Sequence, residues 1–214
     1  MASEPRLKHK KNRLEAFSDG VFAIAITLLV LEIAVPHVRE GSQLLERLLD
    51  EWPVYLAYFV SFMTIGAVWI EHSALVDALD HIDGVFMRLN LVLLLLVAFL
   101  PFPTRIMSEY ASNVSAERVA VVFYGLVLLA MVLMLIVLGQ HAEREGLFGD
   151  DALDERKEEA RLRYQLMPAL VAYIAAGLLG LLSPRLGVTL YLLVAIWLAV
   201  PIRDVRRLFG KNAA

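Results

Sequence analysis

The sequence predicts an all-α membrane protein with six transmembrane helices per subunit, and three observations carry that prediction. Hydrophobic residues make up 59% of the 214 residues and the mean hydropathy is +0.64, against roughly 45–50% apolar residues in a soluble domain. The apolar residues gather into six segments: Gly20 to Val35, Trp52 to Ile70, Leu89 to Thr104, Val119 to Gly139, Leu166 to Ser183 and Leu186 to Ile202. Each is at or near the roughly 20 residues that a helix needs to cross a bilayer. Finally, the loops between them alternate between basic and poorly basic.

That alternation orients the chain. Arg6, Lys8, Lys10, Lys11 and Arg13 precede the first span, Arg88 lies between the second and third, Arg144, Arg156, Lys157, Arg161 and Arg163 lie between the fourth and fifth, and Arg203, Arg206, Arg207 and Lys211 follow the sixth. The opposite side has only Arg39, Arg47, Arg105, Arg118 and Arg185. Lys and Arg concentrate on the cytoplasmic side of short loops, so both termini are expected in the cytoplasm. The resulting organisation is a basic cytoplasmic N-terminus over 1–12, a six-helix domain over 13–209 with a charged cytoplasmic linker at 141–163, and a tail at 210–214. The basic start followed by an apolar run is not read as a secretory signal: Asp19 and Glu32 bracket the run, Ala34-Val35-Pro36 is a poor cleavage site, and five more spans follow. Lys8 to Arg13 lacks interleaved aromatics for stacking bases, so no nucleic-acid partner is expected.

The first span is the unusual one. From Gly20 to Leu31 it has only a short uncharged run before Glu32, about 18 Å of helix against a hydrocarbon core of about 30 Å. Lipid cannot be its main neighbour. At about 100° per residue, with Ile24 as zero, Thr27, Leu28 and Leu31 share one stripe with Ile24. Ala23 and Ala25 flank it, and small residues allow close approach of helices in membranes. On periodicity alone the stripe is first the packing face of a buried helix, with a lining turned towards a shared axis as the other reading. Asp19 lies at about 220° on the same wheel, away from the stripe, and so is expected to point into its own subunit. An ionisable residue at membrane depth needs a partner. His72, after the second span, and Asn90, at the start of the third, are candidates. Glu32 is expected near the outer surface, either as a solvated helix end or as a ring of carboxylates in an oligomer.

The other elements read as scaffold. Trp52 and Tyr55 suit the outer interface of the second span. Leu100-Pro-Phe-Pro-Thr104 is expected to terminate the third, and Pro184 to separate the fifth from the sixth by a very short turn. Gly125, Gly139, Gly177 and Gly180 suit close helix packing. Within the charged linker, Glu159 and Arg163 have helical i,i+4 spacing, as expected for a solvated helix.

Reactive chemistry is sparse. The absence of cysteine excludes disulfides and thiolate sites. There is no Gly-x-Ser-x-Gly, Walker loop or His-Glu-x-x-His, so the protein is not expected to be an enzyme, and no cofactor is expected. His72, Asp77, Asp80, His81 and Asp83 are read as an acidic loop that can take a cation only adventitiously. Nor is there a Thr-Val-Gly-Tyr-Gly carbonyl filter.

Arg13, Phe17, Ser18, Asp19 and Gly20, followed by Ala-Ile-Ala-Ile-Thr-Leu-Leu-Val-Leu-Glu32, closely resemble the signature of the lysosomal potassium channel family, transmembrane protein 175, in its short bacterial branch. Trp69, His72, Asn90 and Leu100-Pro-Phe102 add weaker support. The resemblance implies a pore lined by the first helix, with Ile24, Thr27, Leu28 and Leu31 forming constriction and selectivity. It also implies that Ser18, Asp19, Trp69, His72 and Asn90 form a structural network, to which Arg13 is expected to add a charge partner for Asp19. Animal members carry two six-helix repeats per chain and this chain carries one, so four first helices around one axis imply a homotetramer. The expected function is a potassium-permeable cation channel of the bacterial plasma membrane, with monovalent cations as permeant species and a modest preference for potassium over sodium. The alternative is an ion- or proton-coupled secondary transporter in which Asp19 and His72 relay protons.

Overall fold

The computed structural model describes residues 4–35, 44–111, 114–149 and 166–199. Helix α1 spans Glu4–Leu28 and tightens into a 3-10 turn over Leu29–Glu32. It is followed by α2 (Leu44–Asp50), α3 (Trp52–Ala78), α4 (Gly84–Phe99), α5 (Pro101–Glu109) and α6 (Val114–Arg144). A final hairpin pairs α7 (Met167–Leu182) with α8 (Pro184–Ala199) across Ser183, the very short turn expected at Pro184. Among the described residues four runs are long and apolar enough to cross a membrane, Lys11–Glu32, Trp52–Ala78, Gly84–Glu109 and Ala116–Arg144, while α7 and α8 are shorter apolar helices. Glu159, Arg163 and the basic residues from Arg203 onwards lie outside the described residues.

Two boundaries differ from the sequence reading, each for a local reason. The second span does not stop at Ile70 but runs to Ala78, because Glu71 and His72 are buried against the rest of the chain and do not meet lipid. Pro101 and Pro103 do not terminate the third span. They occupy the first turn of α5, where a missing N–H is tolerated, and Leu100 stays right-handed helical with its carbonyl accepting from the Thr104 amide at 3.1 Å. The helical path therefore continues from Gly84 to Glu109 through a proline-marked break.

Helix α3 is the hub, packed against α1, α5 and α8, while α6 packs against α4, α5 and α7. At its heart Tyr124, Tyr173 and Tyr191 are buried, with ring centroids 5.7 Å (Tyr124 to Tyr191) and 6.1 Å (Tyr173 to Tyr191) apart. Gly125 makes room for the Tyr191 hydroxyl, which a Cβ would overlap, and that hydroxyl donates to the Val121 carbonyl at 3.2 Å. Gly180 and Gly187 let α7 and α8 meet backbone to backbone, since a Cβ on Gly187 would come within 2.9 Å of the Gly180 Cα. Ser61 joins Thr104 at 2.8 Å and Tyr124 at 2.9 Å, so these buried hydroxyls satisfy one another.

The residues read as one acidic loop are divided. His72 and Asp77 belong to α3, and only Leu79 to Asp83 form the connection to α4. Among the described residues no three His, Asp or Glu side chains are placed to hold a metal ion. The Asp83 carboxylate caps α4 by accepting from the Phe86 amide at 2.6 Å and pairs with His141 Nε2 at 3.0 Å. Leu79 bridges Phe148, and the Leu147 carbonyl accepts from the Asp80 amide at 3.0 Å. On the other side Lys11 of α1 donates to the carbonyls of Leu79 at 2.6 Å and Asp77 at 3.1 Å. The connection is thus held between Lys11 of α1 and His141 near the C-terminal end of α6.

Burial pushes the Asp83 carboxyl up, but the Phe86 amide and the His141 ring outweigh it and hold its pKa below the ordinary value of 3.8. A depressed carboxyl contributes stability above its unfolded pKa of about 3.9, and that stability is lost as the pH falls through the lower folded value. Asp83→Asn keeps a capping oxygen but loses the charge. We expect a lower melting temperature at neutral pH and a shallower loss between about pH 4 and pH 2 than in the wild type, measured by thermal unfolding in detergent. Parallel pH profiles would remove Asp83 from this role.

Candidate pore helix and its anchoring network

Helix α1 has two faces. Leu14, Ser18, Phe22, Ala25 and Leu29 are buried against α3 and α4. Arg13, Phe17, Gly20, Ile24, Thr27, Leu28 and Leu31 form a stripe left uncovered by the chain's own helices, with Ile24 60% exposed and Leu31 72%. The 3-10 turn matters for Leu31. At about 120° per residue rather than 100°, Leu31 stays above Leu28, and Glu32 falls on the buried side on either count. There its carboxylate lies 3.8 Å from Arg105 Nε of α5, which also faces Glu109 at 3.8 Å. Glu32 is therefore turned to its own subunit, which corrects the picture of a ring of free carboxylates. The Thr27 hydroxyl donates back to the carbonyls of Ala23 and Ile24, both at 2.9 Å.

The motif residues separate into two groups. In the buried one, His72 Nε2 and Asn90 Oδ1 are 2.8 Å apart and Asn90 Nδ2 donates to Ser18 Oγ at 3.0 Å. An amide oxygen only accepts, so Nε2 is the protonated nitrogen. The Phe22 ring packs on His72 at 5.5 Å, a partner that the sequence reading missed although it lies four residues after Ser18 on the same face. In the second group Trp69 Nε1 donates to Asp19 Oδ1 at 2.8 Å in an exposed position. Asp19 thus does not point into its own bundle. It lies at the edge of the buried arc, about 100° from Ser18, and reaches sideways to Trp69.

Arg13 is not joined to Asp19 by an ion pair among the described residues. Six residues on a helix place them about 240° apart around the axis. Arg13 instead lines, with Leu14, Phe17, Met87, Asn90 and Leu91, an open cleft of about 340 Å³ between α1 and α4. Lys11, which the sequence reading left among the topology signals, is the basic residue that ties α1 to its neighbour.

A bundle of apolar helices, one of which carries an uncovered stripe and a buried polar seam, defines a multi-pass membrane protein. The family follows from comparison with known proteins. The model of the endosomal/lysosomal potassium channel TMEM175 family matches residues 13–101, which include the motif and all of its network. A potassium channel of Streptomyces collinus is 42% identical over 159 residues, covering 74% of this chain and 77% of that protein. A potassium channel of Chamaesiphon minutus is 39% identical over 191 residues, covering 88% and 93%. The crystal structure of a lysosomal potassium-selective channel TMEM175 homolog from Chamaesiphon minutus superimposes with a TM-score of 0.80 at 37% identity, covering 89% of this chain and 97% of that one. The chain belongs to the TMEM175 family.

The two groups should differ in energetic weight. Asn90→Leu withdraws both bonds of a buried side chain, and desolvated groups that lose a partner cost about 1–3 kcal/mol each. Asp19→Ala removes one hydrogen bond in an exposed position, where water can take the place of either partner. Thermal unfolding in detergent should therefore rank Asn90→Leu well below Asp19→Ala, and the reverse order would show that the Trp69 contact is the stronger tie.

Proposed function

We propose that this protein is a potassium-permeable cation channel of the bacterial plasma membrane, with both termini cytoplasmic and six transmembrane helices per subunit. The carrying observation is the stripe from Phe17 to Leu31, which α1 leaves uncovered while its other face is anchored to α3 and α4. Membership of a family whose bacterial relatives are named potassium channels supports the reading. Four copies of α1 around one axis turn Ile24, Thr27, Leu28 and Leu31 inwards, and a closed ring of copies needs cyclic symmetry.

Ile24 then forms the narrowest apolar ring, with Leu28 and Leu31 above it. Such a ring closes by dewetting, and widening it lets a largely dehydrated cation pass. Selectivity rests on size and dehydration cost, without a carbonyl cage. The competing coupled transporter would need Asp19 and His72 to exchange protons. The hydrogen bonds place Asp19 with Trp69 and His72 with Asn90.

Ile24 and Ile26 make the discriminating pair, because Ile26 is half-buried against the core while Ile24 is uncovered. In planar bilayers under bi-ionic potassium and sodium gradients, Ile24→Asn should raise basal conductance and shift the reversal potential towards weaker potassium preference. Ile26→Asn should reduce assembled protein without changing the reversal potential of what remains. The opposite pattern would place the pore on another face, and strictly coupled, saturable flux would favour the transporter.

Assembly is tested separately. Native mass measurement of conducting preparations in detergent should give four chains, and a monomer or dimer in a preparation that still conducts would end the shared-axis reading.

A further inference from the structure

Gly20 is the position of the α1 stripe that carries no side chain, and nothing in its own subunit accounts for the choice. Glycine is a poor helix former, and it is kept where the backbone takes a positive φ or where another group comes too close for a Cβ. Neither holds here. Gly20 lies inside α1, it is not among the positive-φ glycines, and a Cβ built on it meets nothing within 4 Å. At Gly125 and Gly187, by contrast, a Cβ would strike the Tyr191 hydroxyl or the Gly180 backbone. A flexible joint is not the reason either, because α1 is held on both sides of Gly20. Ser18 bonds to Asn90, Asp19 bonds to Trp69, and the buried Phe22 packs on His72.

The constraint therefore lies in the space that the stripe faces. With Ile24 as zero and about 100° per residue, Phe17 falls near 20° and Gly20 near 320°, so Gly20 stands on the uncovered face between Phe17 and Ile24. We propose, resting on the pore reading above, that Gly20 determines the conductance: its copies around the shared axis leave a wide, water-filled chamber between the ring of Phe17 and the ring of Ile24. A cation stays hydrated there until it reaches the constriction. A helical side chain covers the turn that precedes it, so its absence at Gly20 also uncovers the carbonyl oxygens of Ala16 and Phe17, both exposed residues. Carbonyl oxygens can stand in for part of a cation's water shell, and the Phe17 ring, 57% exposed, offers a face that attracts cations. Oxygen within reach just before Ile24 lowers the cost of shedding water at that ring. A methyl group at position 20 would narrow the chamber and cover those oxygens, and a leucine would turn it into a second apolar constriction.

Single-channel currents in symmetrical potassium chloride test this, with Gly20→Ala and Gly20→Leu compared with the wild type in planar bilayers. The control is Gly66→Ala, at a glycine of α3 whose added Cβ also meets nothing within 4 Å. Gly20→Ala should lower the unitary current about twofold and Gly20→Leu at least about tenfold, as a narrower and drier path requires. Tetramer yield of Gly20→Ala should not fall, and Gly66→Ala should conduct like the wild type. An unchanged unitary current with an altered open probability would make Gly20 a hinge, and loss of the tetramer in Gly20→Ala would make it a contact between copies. Either result overturns the chamber, as does an equal fall in Gly66→Ala. Ile24→Asn in the same bilayers separates this test from that of the pore. If it shifts the reversal potential while Gly20→Leu conducts like the wild type, the chamber alone fails; if neither variant alters conduction, the stripe does not line the pore and both readings fail.

Discussion

Asn90 sets the rotation of α1. Its amide oxygen accepts from His72 of α3 and its amide nitrogen donates to Ser18 of α1, so one buried side chain on α4 joins three helices. In a medium without water, a polar group that loses its partner is costly, and the hydrogen bonds are directional in a way that leucine contacts are not. Turning α1 by one residue would pull Ser18 away from Asn90. It would also bring Ala25 to where Ile24 stands. The choice of which side chains remain uncovered is therefore made on the opposite side of the helix.

The two ends of α1 are held by charge. At the cytoplasmic end in the expected orientation, Lys11 closes the last carbonyls of α3, which have no intrahelical partner of their own. At the other end Glu32 meets Arg105 across the 3-10 turn. Between these ties the exposed stripe carries no charge from Phe17 to Leu31. Polar anchors thus surround an apolar face without entering it.

Much of this was legible in the sequence, because it follows from composition and period. Apolar runs of span length gave the long helices, and the 3.6-residue repeat gave the shared stripe of Ile24, Thr27, Leu28 and Leu31. His72 and Asn90 were picked out as candidate partners for Asp19, and they bond to one another and to Ser18 instead. What stayed hidden depends on departures from an ideal helix or on contacts far apart in the chain. The wheel put Asp19 away from the stripe and into its own bundle, but it could not show that the side chain stays exposed with the indole of Trp69, fifty residues on, within its reach. Glu32 was left open between a solvated end and a ring because its neighbour Arg105 lies far along the chain, and the prolines at 101 and 103 were taken as an end because composition does not distinguish the close of one helix from the first turn of the next. His72 was read with the loop that follows because a charged run looks the same in sequence whether it faces water or a protein neighbour.

The back-bonded hydroxyl of Thr27 has a consequence for the sign of any charge that approaches this face. Its single proton is committed to the carbonyls of Ala23 and Ile24, so what the side chain turns outward is a methyl group and the lone pairs of an oxygen. A ring of such residues offers acceptors and no donors. An anion stripped of water would find nothing there to replace its hydration, whereas a cation would find oxygen. Discrimination by charge sign can therefore arise on an uncharged surface, from the direction of one hydrogen bond within the backbone of a single helical turn.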